Sequence, residues 1–464
     1  MALNQREIVL DILLELERSK KFSNRLIKDV LDKYDYLDTQ EKAFIKRVAE
    51  GTIETQIRLD DVLDHYSKLP VKKMKPLIRV LLRMSVYQIL YMDSVPDGAA
   101  CNEACKLAQK RGFHTLKGFV NGILRNIARE KDKLPETDRK KDPWRYLEVK
   151  YSMPLWLIRE FEKSYGLELT EKMLEGLLEV RPVMLRFAPT LSDTERQTLC
   201  DSMEEGQVVL RQSPYLPYMY SADRLDGISA LPGYDEGSFA VQDVSSALAV
   251  EMAGIDQNDF VMDVCAAPGG KSSLAAFYGK NVLAQDLSES KCDRIRENME
   301  RMGLDNVEVE AFDATIKDPD KIGKADVLLM DVPCSGLGIM GRKRDIKYNV
   351  TPEGFQEIEK LQKQIVATCV EYLKPGGTLL YSTCTLRLEE NQNMVRYILD
   401  TYDFEPVDLR KDLPKQLVQE LEKAKTLSAD RAWCKDEEVQ ACSVQIFPGI
   451  SEADGFFFAK LRKK

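Results

Sequence analysis

Apolar positions recur with a helical period through the first third of the chain. Ile8, Val9, Ile12, Leu13 and Leu16 fall on one helix face, as do Leu77, Leu81, Met84, Tyr87 and Tyr91. Strand-like alternation is scarce there, so an all-α domain is expected over residues 1–140, ending in the charged, proline-containing stretch 131–142. From 141 to 237 the pattern is mixed. A helical stretch at Leu155 to Val180 precedes short apolar runs at Val183 to Phe187 and Val208 to Leu210, which predicts a small α/β unit. The prolines and tyrosines of Ser213 to Tyr220 read as a loop packed on the next domain, with base stacking as the alternative.

After Gly237 helix and strand alternate over residues 238–464. Strands are expected at Phe260–Cys265, Asn281–Asp286, Val307–Ala311, Asp326–Asp331 and Thr378–Thr383, with helices between them, among them Val244–Gly254, Ser288–Met302 and Gly354–Leu373. Such alternation implies a parallel, doubly wound sheet with ligands beyond the carboxyl ends of its strands. Two last apolar runs, Ala441–Phe447 and Gly455–Leu461, predict a terminal antiparallel hairpin.

Composition changes this picture in two places. The first eighteen residues carry Arg6, Glu7, Asp11, Glu15 and Glu17, and no later run reaches the ~18 uncharged apolar residues of a membrane span, so a cytoplasmic protein with no membrane part is expected. Its ten cysteines are then reduced thiols. Net charge is −9, yet residues 1–134 carry +6 and the remainder −15. Lys106, Lys110, Arg111, Lys117, Arg125 and Arg129 sit in that basic end, where they could track a phosphate backbone; a solvated helix face is the alternative.

Candidate chemistry lies at the strand ends. Cys334 in Asp331-Val-Pro-Cys-Ser-Gly and Cys384 in Tyr381-Ser-Thr-Cys-Thr each follow a strand, so parallel strands would deliver both thiols to one sheet edge. Cys200, Cys292 and Cys369 read as packing residues, as do Cys101 and Cys105. The turn Cys265-Ala266-Ala267-Pro268-Gly269-Gly270-Lys271 leaves a strand for a helix, but matches neither a P-loop nor a dinucleotide fingerprint. Asp286, Asp313 and Asp331 close successive strands around it, a set suited to a nucleoside ligand without phosphates; a metal is disfavoured beside thiols without histidine. The only histidines, His65 and His114, lie in the helical end, which disfavours Cys-His and Ser-His-Asp hydrolases. A thiol nucleophile must then be activated otherwise. Lowering its pKa by ~1.5 units takes about 2 kcal/mol, within reach of one cation such as Lys271 or the run Arg342-Lys343-Arg344.

Taken together, Asp331-x-Pro-Cys-Ser-Gly, Ser382-Thr-Cys-Thr, Cys265 to Lys271 and Asp454-Gly-Phe-Phe resemble the RNA 5-methylcytosine methyltransferases of the NOL1/NOP2/Sun group. Val120-Asn-Gly-Ile-Leu-Arg125 and Leu81-Leu-Arg-Met-Ser-Val-Tyr make the first ~135 residues similar to a NusB-like RNA-binding domain. The pairing resembles bacterial members of that group acting on 16S rRNA.

The resemblance implies a multidomain architecture: a NusB-like all-α domain (1–140), a small α/β, RRM-like linker (141–237) and a Rossmann-like catalytic domain (238–464). It implies that Cys265, Ala266, Ala267, Pro268, Gly269, Gly270, Lys271, Asp286, Asp313 and Asp331 bind S-adenosylmethionine. It also implies that Cys384 attacks C6 of cytosine, that Cys334 helps release product and that Asp331 assists at N3. The partner would be single-stranded RNA or a flipped-out cytosine, met by a monomer without a metal. The chain departs from the group's habit at Arg342-Lys-Arg-Asp-Ile-Lys-Tyr, where proline often precedes the aspartate and tryptophan ends the run. DNA cytosine methyltransferases use the Pro-Cys thiol instead, which would make Cys334 the nucleophile; Thr383-Cys384 favours the RNA type. A tRNA substrate and a non-catalytic antitermination factor are the remaining alternatives.

Overall fold

The structure is a computed structural model that describes residues 4–19, 22–225, 227–428 and 431–464. The chain forms two compact units. One contains the chain up to Glu160 together with Arg342–Asn349, and the other contains Phe161–Gly341 and Val350–Lys464.

The first unit is helical, as the 3.6-residue pattern predicts. Its central helix, Pro76–Tyr91, buries residues on every side, including Ile78, Leu81, Leu82, Met84, Val86 and Ile89, because Gln5–Ser19, Thr39–Glu54, Asp97–Lys110 and Lys117–Glu130 pack around it. The helix Thr39–Glu54 starts at a capping box: Asp38 accepts from the Glu41 amide, and Glu41 accepts from the Asp38 amide. Gly51 lets the Tyr87 ring lie against that helix, since a Cβ there would come within 2.0 Å of the ring.

Arg342–Asn349 belongs to this helical unit. Asp345 accepts from the Ser23 amide and hydroxyl, both at 2.8 Å, and Lys347 Nζ donates to the Glu54 carbonyl at 2.7 Å. Burial pulls the Lys347 amine down to about 7. Arg344, one of the cations sequence offers to the thiols, is ion-paired with Glu50 and Glu54 within this unit.

The second unit holds two sheets. Strands β1 (Val183–Phe187), β2 (Val209–Gln212), β3 (Met219–Asp223) and β4 (Phe239–Val241) form a small antiparallel sheet in the order β2-β3-β1-β4. The large sheet contains β5 (Phe260–Asp263), β6 (Asn281–Asp286), β7 (Val307–Ala311), β8 (Ala325–Asp331), β9 (Leu373–Thr383), β10 (Phe404–Pro406), β11 (Ser443–Ile446) and β12 (Phe456–Lys463). Its order is β10-β12-β9-β8-β5-β6-β7, and β11 pairs with β12. Strands β5 to β9 are mutually parallel, whereas β12 runs antiparallel to β9, β10 and β11, so the predicted terminal hairpin is present.

From β5 the chain winds outward through β6 and β7, then returns to β8 on the other side of β5 and continues to β9. The order therefore reverses between β5 and β8, and a crevice opens beyond their carboxyl ends. Buried Val261, Met262, Leu328, Leu329, Leu379 and Leu380 explain why these strands read as continuous apolar runs.

The expected helix from Leu155 to Val180 is two helices, Leu155–Tyr165 and Leu167–Gly176. Gly166 lies between them with φ +76°, a left-handed conformation that ends the first helix. The Ser213–Tyr220 segment does pack rather than stack: Tyr215 and Tyr218 are buried, and their hydroxyls donate to Glu420 and Glu251. Among the described residues no helix is long and apolar enough to cross a membrane.

Candidate active site

The turn after β5 is built by backbone. The Ala266 amide donates to the Gln285 carbonyl at 2.8 Å, and the Ala267 amide donates to Asp286 Oδ2 at 2.9 Å. Gly269 takes φ +98° at the entry to the helix Gly270–Ala276. A Cβ on it would press on Met299 and Ile295 at 3.0–3.1 Å, so glycine answers both the turn and the packing here. From β1, Arg186 reaches the same helix: its guanidinium donates to Ser273 Oγ at 2.9 Å and to the Gly270 carbonyl at 3.3 Å. Arg186 is 1% exposed, and burial pulls its pKa down to about 10.

Strands β8 and β9 are adjacent and pair Asp331 with Ser382, so the residues that follow each strand leave the sheet side by side. Cys334 Sγ and Cys384 Sγ meet at 3.2 Å. The hydrogen bond with Cys384, and after it burial, push the Cys334 thiol well above its ordinary range, so Cys334 keeps its proton. Asp331 Oδ2 accepts from Lys271 Nζ at 2.5 Å, and Oδ1 accepts from Ser382 Oγ at 2.8 Å. Burial opposes the charge on Lys271, but the carboxylates of Asp331 and Asp263 and the neighbouring Cys384 outweigh it and hold the ammonium above its usual value. Lys271 also lies over the Phe456 ring at 5.4 Å. Asp263 is pushed up to about 6 by burial, relieved in part by the Ser272 hydroxyl at 2.6 Å.

A second layer holds the two thiol loops together. Glu390 is fully buried and accepts from the Ser335 amide (2.9 Å), Gln362 Nε2 (3.1 Å) and Arg387 Nη1 (3.3 Å). The hydroxyls of Ser335 and Thr385 share a 2.6 Å hydrogen bond. Asn391 accepts from Thr383 Oγ1 at 2.6 Å and donates to the Thr385 carbonyl at 3.1 Å and to Gln445 Oε1 at 2.8 Å. The Gly338 amide donates to the Cys384 carbonyl at 3.0 Å, and Gly455 sits so close that a Cβ on Gly338 would come within 2.0 Å of its oxygen. Ser335, Thr383, Thr385 and Gly455 lie within the motifs read from sequence, whereas Glu390, Gln362, Arg387, Asn391, Gln445 and Gly338 do not stand out there.

Two cavities adjoin at Cys265, Ala267 and Asp331. The first, about 250 Å³, is bounded by Asp286 and Asp313 and by apolar Leu287, Phe312, Pro333 and Ile365. Asp286 is buried; its Oδ1 accepts from Lys291 and the Leu287 amide, both at 2.7 Å. Asp313 Oδ1 accepts from the Thr315 amide and hydroxyl. The second cavity, about 240 Å³, is lined by Ala266, Pro268, Gly270, Lys271 and Cys384, together with Gln242, Asp263, Asp454 and Phe456. Of the residues that the resemblance assigns to catalysis or cofactor binding, Gly269 and Cys334 line neither. Gly269 shapes the turn, and Cys334 reaches the second cavity through its contact with Cys384. The remaining cysteines named for packing, Cys101, Cys105, Cys200, Cys292 and Cys369, are all buried and free.

Comparison with known proteins follows the same division. Residues 251–462 match the family model described as 16S rRNA methyltransferase RsmB/F, and residues 3–129 match the NusB family. The chain is 33% identical over 477 aligned positions to a probable ribosomal RNA small subunit methyltransferase B of Bacillus subtilis (strain 168), covering 99% of this chain and 98% of that one. It is 28% identical to ribosomal RNA small subunit methyltransferase B of Cronobacter sakazakii, covering 92% of this chain and 91% of that one. Among solved structures, the crystal structure of PH0851 superposes with a TM-score of 0.76 at 22% identity, covering both chains in full. NSun6 from Pyrococcus horikoshii with SFG gives 0.54 at 20% identity, over 67% of this chain and 98% of that one.

Proposed function

The chain belongs to the RsmB/F family of 16S rRNA methyltransferases, and from that premise we propose that it methylates C5 of a cytosine in 16S rRNA through a covalent bond between Cys384 and C6. The observation that carries this reading is the pair of thiols 3.2 Å apart, opening through Cys384 onto a cavity shared with Lys271 and Asp331. In this reading residues 1–140 and 141–237 serve RNA binding and linkage, and 238–464 carry the chemistry.

The first cavity suits S-adenosylmethionine. Asp286 and Asp313 offer carboxylate acceptors for ribose hydroxyls, and Phe312, Leu287 and Ile365 offer an apolar wall for adenine. Lys291 in its lining is already paired with Asp286, which suits a nucleoside without phosphates. Asp331 and the turn from Cys265 to Lys271 would hold the amino-acid end. When bound, S-adenosylmethionine supplies an electrophilic methyl group to C5.

C5 of cytosine is too weak a nucleophile to accept that group unaided. Addition of Cys384 Sγ forms an S–C6 bond and moves the C5=C6 electron pair onto C5, while the thiol proton, relayed through the Asp331 carboxylate, is shared with or passed to N3. Lys271 keeps Asp331 in place through their 2.5 Å contact. Release reverses the addition: water takes the C5 proton, the C5–H pair becomes the new C5=C6 bond, the C6–S pair departs on Cys384, and protonated Cys334, in contact with that sulfur, aids its departure. A cytosine within a helix is out of reach of these groups, so the target is single-stranded or flipped.

Bisulfite mapping of total RNA from cells with and without the gene tests this reading. A single 16S rRNA cytosine losing its methyl group in the deletion strain is the expected result. An unchanged 16S rRNA profile contradicts it.

A further inference from the structure

The cations of the helical unit fall into two classes. On Asp97–Lys110 and just beyond it, Lys106 pairs with Glu103, Lys110 with Glu7, and Arg111 with Glu7 and Asp11, so each faces a carboxylate. On Lys117–Glu130 the partners are neutral. Lys117 Nζ donates to Gln109 Oε1 at 3.4 Å, Arg125 Nε to Asn121 Oδ1 at 3.0 Å, and Arg129 Nη2 to Asn126 Oδ1 at 2.5 Å. The helix has one carboxylate, Glu130, which accepts from the Tyr66 hydroxyl. Among the described residues, Lys117, Arg125 and Arg129 therefore pair with no carboxylate.

The same helix carries two exposed glycines, Gly118 and Gly122, and a Cβ on either would meet nothing within 4 Å. Glycine inside an exposed helix lowers stability relative to alanine, and no packing neighbour here requires it. Gly118, Gly122, Arg125, Asn126 and Arg129 recur at helical spacing on one exposed face, while Val120, Ile123, Leu124 and Ile127 occupy the buried one. Amide side chains, these guanidinium groups and two positions without side chains make a surface that a bulky, regularly charged backbone can approach closely.

We propose that this face of Lys117–Glu130 is the phosphate-binding surface of the helical unit, with Arg125 and Arg129 on successive phosphates of the rRNA and Gly118 and Gly122 giving the sugar-phosphate backbone room. The proposal rests on the reading of the chain as an rRNA methyltransferase and adds which surface meets the backbone. The neighbouring cations on Asp97–Lys110 are occupied by their carboxylates and take no part.

Affinity of the full-length protein for a 16S rRNA fragment, measured by fluorescence anisotropy across a salt titration, tests it. Removing one cation from a phosphate lowers the slope of log affinity against log salt by about 0.7–0.9, so Arg125→Gln with Arg129→Gln is expected to lower it by roughly 1.5. Lys106→Gln with Lys110→Gln, an equal change in formal charge, leaves the slope as it was. Gly122→Gln is expected to weaken binding while leaving the melting temperature equal or higher, which separates an obstructed surface from a misfolded one. Equal slopes for the two double variants overturn the assignment of the face, while methylation of 16S rRNA by the same protein leaves the proposed function standing. Failure of the unsubstituted chain both to bind and to methylate 16S rRNA overturns both.

Discussion

Replacing Glu390 with glutamine removes a charge and keeps a shape, and the consequences follow from how its two oxygens are used. Oε2 accepts from the Ser335 amide and from Gln362 Nε2, and Oε1 accepts from Arg387. A glutamine oxygen can keep the first two partners, but its NH2 then faces the guanidinium, donor against donor. A hydrogen bond to a charged group contributes ~1.5–3 kcal/mol. The larger ~3–5 kcal/mol of a fully broken buried pair is not reached, because Arg387 keeps Glu359 at 2.9 Å, Glu389 at 3.3 Å and the Phe355 ring at 4.0 Å. Burial already pushes the Glu390 carboxyl above its usual range, so part of the pairing energy is offset in the native protein. A loss of about 2 kcal/mol lowers the melting temperature by roughly 4–8 °C. The catalytic consequence is larger in proportion. Ser335 follows Cys334 directly, so loosening its amide lets the two thiols, 3.2 Å apart, drift from one another, and a displacement near 1 Å costs up to about a hundredfold in rate. Affinity for S-adenosylmethionine, measured by calorimetry, stays the same, since Glu390 lines neither cavity. A lower melting temperature with unchanged kcat would refute the positioning role; a parallel fall in cofactor affinity would refute the claim that the effect is local.

Three further outcomes follow from single residues. Asp286→Ala removes the acceptor of the Ala267 amide and of the proposed ribose hydroxyls; losing one charge-assisted hydrogen bond of ~1.5–3 kcal/mol raises the dissociation constant for S-adenosylmethionine roughly 10–100-fold by calorimetry. Gly338→Ala sets a methyl group 2.0 Å from the Gly455 oxygen beside the Cys384 carbonyl, so a stability loss of about 1–3 kcal/mol in urea unfolding and reduced turnover are expected together. Asp263 has a folded pKa raised to about 6, so its burial penalty is fully present above pH ~6 and is relieved as pH falls toward the unfolded value near ~4. Between pH 7 and pH 5 this group therefore stabilises the protein by roughly 1 kcal/mol, a gain that urea titrations of Asp263→Asn should lack.

What sequence reveals of this fold depends on how local the signal is. The parallel strands β5, β6 and β8 announce themselves because both faces are covered, which leaves apolar runs ended by Asp263, Asp286 and Asp331, whereas β7 at the sheet edge shows the alternation Val-Glu-Val-Glu-Ala. Strands β3, β4 and β10 carry no such signal: they are three to five residues long and partly exposed, and they exist through pairing with distant partners. The helices Gln392–Thr401 and Lys415–Ser428, not assigned from sequence, do carry a helical apolar pattern, at Met394, Val395 and Ile398 and at Leu417, Leu421 and Ala424. At the site, the thiols and the Gly-rich turn are contiguous motifs and can be named directly. The Glu390 network cannot, because Ser335 and Gln362 lie 55 and 28 residues away and Leu-Arg-Leu-Glu-Glu-Asn reads as a solvated acidic stretch. Within the basic run 342–344, Arg344 is hidden for a related reason: its partners Glu50 and Glu54 lie in a different part of the chain, and a charge run in sequence carries no information about which carboxylates it will meet. Burial of Arg186 under the Gly-rich turn is hidden likewise, since a strand arginine normally signals the solvent face.

The central claim is the division of labour between two adjacent thiols. Denaturing gel electrophoresis of the purified variants, incubated with 16S rRNA and S-adenosylmethionine, reads it directly, because an uncleaved S–C6 bond survives as a slow-migrating protein-RNA band. Cys334→Ser is expected to accumulate that band, since attack by Cys384 proceeds while release is impaired. Cys384→Ala should show neither band nor methylation. A covalent band from Cys384→Ala, and none from Cys334→Ser, would contradict the account and exchange the two roles.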